Sequence, residues 1–123
     1  MRGVVVLRSV DVASKSSAVG GAIREIFHPS KGLVKGFSVV EVWVEPGGEV
    51  KKHFHRVADE VCFVLEGVGS FLLGGEKFLV RAGDYVYIAA GVKHKVKNVG
   101  RRVLKLLCLS VPECLEGDTV LVE

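Results

Sequence analysis

Three of the four histidines stand where imidazole nitrogens can act together. His53 and His55 flank Phe54. Side chains alternate faces along a strand, so residues two apart share a face and can grip one ion. Glu60 follows five positions after His55, across the polar stretch Arg56-Val57-Ala58-Asp59. If that stretch turns, Glu60 opens the next strand beside the pair and adds a hard oxygen to two nitrogens. His94 is the fourth candidate. Lys93, Lys95 and Lys97 alternate with His94, Val96 and Asn98, which predicts a strand with its lysines outward and His94 inward. A lone inward histidine is more often a hydrogen-bonded core residue than a ligand. One that can meet His53, His55 and Glu60 is a different case.

These residues must be positioned by short strands. Apolar segments are broken by turn residues every 8 to 12 positions. The pattern predicts strands over 22–27, 37–45, 60–66, 70–73, 77–81, 85–88, 94–99 and 103–110, with Gly74-Gly75 as a hairpin turn. A short strand is expected before a loop that runs from Ser14 to Gly21. Valine fills 25 positions and glycine 15, as a strand-and-turn chain requires. No convincing helix is present, so the fold class is all-β, a sandwich or barrel.

The 123 residues predict a single domain, 1–123. Hydrophobic residues make up 49% and charged residues 25%, a globular balance. The apolar runs are too short for a membrane helix, and no secretory signal is evident. A net charge of +3 does not argue for nucleic acid. The absence of glutamine and a single asparagine, Asn98, fit a heat-adapted (thermophilic) source. Cys62, Cys108 and Cys114 form no C-x-x-C pair. Cys108 and Cys114 pair only if the turn at Pro112 brings them together; the plainer expectation is buried or idle thiols in a reducing, cytoplasmic setting.

Two stretches resemble the sequence motifs of the cupins. Gly47-x5-His53-x-His55-x4-Glu60-x6-Gly67 is similar to the first, and Gly83-x5-Ala89-x-Gly91-x2-His94-x3-Asn98 to the second. Ala89 stands where the family usually has proline, which removes a rigid turn residue but no chemistry. The resemblance implies a double-stranded β-helix, or jelly-roll, barrel. It also implies a divalent metal held by His53, His55, Glu60 and His94. Asn98 matches a motif position with no metal role and reads as structural. Asp118-Thr119 is similar to the ends of many small cupins.

Four such ligands leave open positions on a metal that accepts five or six. Iron, manganese, nickel, zinc and copper all suit mixed nitrogen and oxygen ligation. The expected function is a metal-dependent enzyme acting on a small polar metabolite, dioxygenase-, decarboxylase- or isomerase-like. The alternative is a non-catalytic metal- or ligand-binding module. Other site candidates carry plainer readings. Tyr87 is a candidate proton donor or a packing residue, with Tyr85 on its face. Lys51 shares parity with His53 and is either at the pocket mouth or a surface lysine. Arg24 is another mouth candidate or half of a strand-surface ion pair. Cys62 shares parity with Glu60 and is either pocket wall or buried filler. A homodimer is expected from the resemblance, with the 37–45 strand carrying apolar residues on both faces.

Overall fold

In the computed structural model, which describes residues 3–122, the chain folds almost entirely into strands. They are β1 (Lys15–Ser16), β2 (Ala22–Phe27), β3 (Ser38–Val44), β4 (Glu49–His55), β5 (Asp59–Glu66), β6 (Val68–Leu73), β7 (Glu76–Arg81), β8 (Tyr85–Ile88), β9 (His94–Asn98), β10 (Leu104–Val111) and β11 (Thr119–Leu121). Single 3-10 turns occur at Ser9–Asp11 and Pro29–Lys31. One sheet has the order β1-β2-β3-β10-β5-β8 and the other β11-β4-β9-β6-β7. Every pairing is antiparallel. The architecture is the two-sheet jelly-roll barrel that the cupin resemblance implies, within the all-β sandwich or barrel class read from the strand pattern.

The core lies between the sheets. In β10, Leu104, Leu106, Cys108 and Ser110 are buried while Leu109 and Val111 are exposed. That alternation is the period-two pattern of a strand with one covered face. Phe71, Val64 and Leu104 are wholly buried at the centre. The β6–β7 hairpin turns at Gly74-Gly75, both at positive φ, with Leu73 opposite Glu76. Mirror-type hairpin turns require that conformation. Gly67 carries the chain from one sheet to the other at φ 89°, and a Cβ there would stand 2.6 Å from the Val103 carbonyl oxygen.

Asn98 is structural, as read. Its Nδ2 donates to the carbonyls of Val44 and Arg102, each at 2.8 Å, and its Oδ1 accepts from the Gly100 amide at 2.9 Å.

The N-terminal expectation was incorrect. Residues 4–7 form no strand and are exposed, while β1 lies inside the stretch predicted as a loop. The sheet ends at β1, which among the described residues pairs with β2 alone. β3 sits between β2 and β10, and its own chain overlies part of its outer face. Arg24 and Lys105 lie over the Trp43 ring at 5.2 and 4.5 Å, and the Ser9 hydroxyl donates to Glu41. Among the described residues no helix is long and apolar enough to cross a membrane.

Candidate metal centre

Neighbouring strands bring the three histidines together. β4 and β9 pair antiparallel, with His53 directly opposite His94. His55, two residues on, faces the same way. All three are buried, and their ring centroids lie 4.1 to 5.4 Å apart. One nitrogen of each ring falls within 4.8 Å of the others.

Glu60 comes from the other sheet. The turn after β4 crosses the barrel and β5 begins at Asp59. Asp118 secures the crossing: its carboxylate accepts from the amides of Val57 at 2.8 Å and Ala58 at 3.3 Å. The Glu60 oxygens then stand 3.8 Å from His55 Nε2 and 3.9 Å from His94 Nε2. These separations are too long for direct hydrogen bonds. They suit two bonds of about 2.1 Å to a shared ion.

Each ring is oriented through its other nitrogen. His53 Nδ1 meets the Lys51 carbonyl at 2.7 Å, His94 Nδ1 the Val92 carbonyl at 2.9 Å, and His55 Nδ1 the Thr119 hydroxyl at 3.1 Å. A carbonyl only accepts, so Nδ1 carries the proton in the first two rings and Nε2 keeps its lone pair. His55 Nε2 and His94 Nε2 are buried without any hydrogen-bond partner. Buried polar atoms seldom lack partners. Two unpartnered nitrogens aimed at one carboxylate fit a metal.

Burial lowers the pKa of all three rings, that of His94 to about 4 from 6.5, and proximity to His53 adds to the shift in His55 and His94. The rings therefore stay neutral, the form that ligates. Burial raises the Glu60 pKa, against a smaller opposite effect of the Cys62 thiol. A dication beside this carboxyl would favour its charged form.

Residues 40–110 match the cupin domain family. The chain belongs to that family. This cupin is 39% identical over 106 residues to an uncharacterized protein of Methanocaldococcus jannaschii, covering 85% of this chain and 83% of that one. It is 32% identical over 82 residues to the polyketide synthase CurC of Streptomyces cyaneus, covering 66% of this chain and 53% of CurC, about half its length. Its fold is similar to the polyketide cyclase RemF of Streptomyces resistomycificus, with a TM-score of 0.83, 21% identity and coverage of 98% of this chain and 86% of RemF.

The four groups of the cupin line a cavity of about 240 Å³ between the sheets. Cys62 lines it, as one reading of its parity held. The other candidates fall elsewhere. Tyr85 and Tyr87 are exposed on the outer face, because Val86 and Ile88 take the inner one. Tyr87 is therefore not placed to give the centre a proton. Arg24 also faces away: Ile23 and Glu25 point into the cavity, while Arg24 hydrogen-bonds Ser9.

Lys51 is a surface lysine, the plainer of its two readings, for a different reason. Val50 pairs with Val96 and His53 with His94, so β4 takes three steps where β9 takes two. This β-bulge reverses the parity. Val50 and His53 both face inward and Lys51 is exposed. The same bulge delivers the Lys51 carbonyl to His53. Lys93 and Lys97 are exposed beside buried His94 and Asn98, as the alternation predicted. The thiols that meet are Cys62 and Cys108, not Cys108 and Cys114. All three cysteines are free.

Sequence reasoning gave no role to Thr119, which lies 64 residues from His55, or to Glu25 and His28, which line the cavity. His28 Nε2 meets the Cys114 carbonyl at 2.9 Å and Nδ1 accepts from the Ser30 amide, so both nitrogens are engaged. Replacing Thr119 by valine removes the partner of His55 Nδ1 without emptying its volume. Titration calorimetry is expected to show metal affinity lowered about 10–100-fold. Unchanged affinity would mean that Thr119 does not orient this ring.

Stripped of metal with a chelator, the protein is expected to lose stability as pH falls from 6.5 toward about 4. The unfolded histidines take protons in that window that the folded rings refuse, so unfolding gains. Glu60 works the other way, one group against three. Urea midpoints at pH 7 and pH 5 check this; a higher midpoint at pH 5 contradicts it.

Proposed function

We propose that this cupin is a metal-dependent enzyme whose substrate presents oxygen to the metal and an apolar body to the cavity. His53, His55, Glu60 and His94 would hold one divalent transition metal. The observation that carries the reading is the cavity they share. Its walls include Ile23, Val40, Val42, Phe71 and Leu106. No lysine or arginine is among the described residues that line it. A phosphate or a second carboxylate would find no cation there. A ketone or diketone with an aliphatic or aromatic body fits better, and the name of the relative CurC agrees.

When bound, the metal supplies Lewis-acid polarisation of a carbonyl and stabilises an enolate. The apolar walls exclude water and strengthen charge interactions at the centre. Glu25 is the acidic side chain that lines the cavity apart from Glu60, and we assign it proton transfer to or from the substrate. A screen of metal-reconstituted protein against diketones, flavonols, thiols and sugar phosphates, with oxygen uptake followed, tests the reading. Turnover of a diketone or flavonol that is lost in His53→Ala is expected. Turnover of sugar phosphates alone, or of nothing with any metal, would favour a different substrate or a non-catalytic binding module.

We further propose that the strands form a single domain that pairs as a homodimer through the outer face of β10, β5 and β8. Leu109, Val61 and Tyr87 lie abreast across these strands and are exposed. Phe63 and Tyr85 stack beside them at 4.5 Å. An apolar row of this kind is usually covered. A sedimentation mass near 13.3 kDa at micromolar concentration would contradict the dimer. Three free thiols fit a cytoplasmic setting.

A further inference from the structure

Cys62 and Cys108 are direct cross-strand partners on β5 and β10. Directly opposed residues of an antiparallel pair have Cα atoms about 4.5–5.5 Å apart. That lies within the ~4.4–6.8 Å range of disulfides. Their Sγ atoms are 3.1 Å apart and both side chains are buried. Both also line the cavity, so a molecule small enough to enter it reaches them. The Cys62 thiol donates to Glu60 Oε1 at 3.4 Å. Cys114 stands apart, with its Sγ 3.7 Å from the Thr119 hydroxyl.

We propose that Cys62 and Cys108 are an oxidisable dithiol whose disulfide weakens metal binding through Glu60. The oxidant is a small peroxide. One sulfur attacks a peroxide oxygen, the O–O bond breaks and water leaves, giving a sulfenic acid. The second sulfur displaces the sulfenic oxygen, the S–S bond forms and a second water leaves. The balance is two thiols and one hydrogen peroxide to one disulfide and two waters. Each sulfur gives one electron, and the peroxide oxygens are reduced. The disulfide has no S–H, so Glu60 loses its donor, and Cys62 is drawn toward β10. Burial shields the pair from bulky disulfides such as oxidised glutathione.

The disulfide itself is independent of the metal reading; the effect on affinity rests on Glu60 as a ligand. The chain is treated with hydrogen peroxide, then denatured, and its thiols are counted. The titre is expected to fall from three to one and to return with dithiothreitol. Peptide mapping is expected to link Cys62 to Cys108 with loss of two hydrogens. In Cys114→Ser the titre falls from two to none, and in Cys108→Ser no intramolecular link to Cys62 forms. An unchanged titre, or a link that includes Cys114, overturns the dithiol. Affinity for zinc, measured on the oxidised and reduced chain, is expected to drop about tenfold on oxidation. A link with equal affinities overturns the coupling to Glu60, whereas failure of the His53→Ala/His55→Ala variant to lose metal overturns the ligand assignment.

Discussion

A His53→Ala/His55→Ala double variant is expected to purify without stoichiometric metal, its affinity lowered by well over the ~100-fold seen when an outer partner is removed. Both rings project into the cavity rather than into the packed centre, and the core around Phe71, Val64 and Leu104 contains neither. The variant therefore keeps the strand spectrum of the parent. Thermal melts give a second readout. A ligand present at ~100 times its dissociation constant stabilises a protein by about 2.7 kcal/mol. Added metal should raise the melting temperature of the parent and leave that of the folded variant unmoved. Equal metal content in the two proteins by elemental analysis would place the ion elsewhere.

Asn98→Ala is expected to cost about 2–4 kcal/mol of stability, read from urea denaturation. Asn98 is almost wholly buried. Its removal leaves the Val44 and Arg102 carbonyls and the Gly100 amide without this partner. Unsatisfied buried groups carry a desolvation cost of about 1–3 kcal/mol each, eased where water reaches the Arg102 and Gly100 side. The folded fraction should still bind metal, since the hydrogen bonds of Asn98 run to Val44, Arg102 and Gly100 and not to the rings. A change below 0.5 kcal/mol, within the ordinary range of surface substitutions, would remove its structural role.

The two predictions divide along what the chain displays. The histidine cluster was legible because it depends on short-range periodicity. His53 and His55 share a face whatever the barrel does, and the lysine alternation turned His94 inward before any partner was known. The strand pattern was equally plain, since buried and exposed residues alternate along β10 and glycines mark the turns. The parity that put Lys51 on the face of His53 failed, although its surface reading held, because a β-bulge carries no necessary glycine or proline. The Lys51-Lys52 pair gives no sign that one extra residue is accommodated there. Parity also left the direction of β8 open: Tyr85 and Tyr87 share a face, but only the packing of Val86 and Ile88 between the sheets decides which face is inside. Partners that are distant in sequence were least accessible. Thr119 reaches His55 and Asp118 holds the crossing turn only after β11 has paired with β4. Likewise, Cys62 meets Cys108 through the register of β5 and β10, which no local pattern encodes.

Four side chains from two facing sheets are proposed to share one ion. An anomalous-scattering map of crystals of the metal-loaded protein tests it most directly. One dominant peak is expected within about 2.0–2.2 Å of His53 Nε2, His55 Nε2, His94 Nε2 and a Glu60 carboxylate oxygen. A peak bound by other residues, or one from which any of these four side chains turns away, would contradict it.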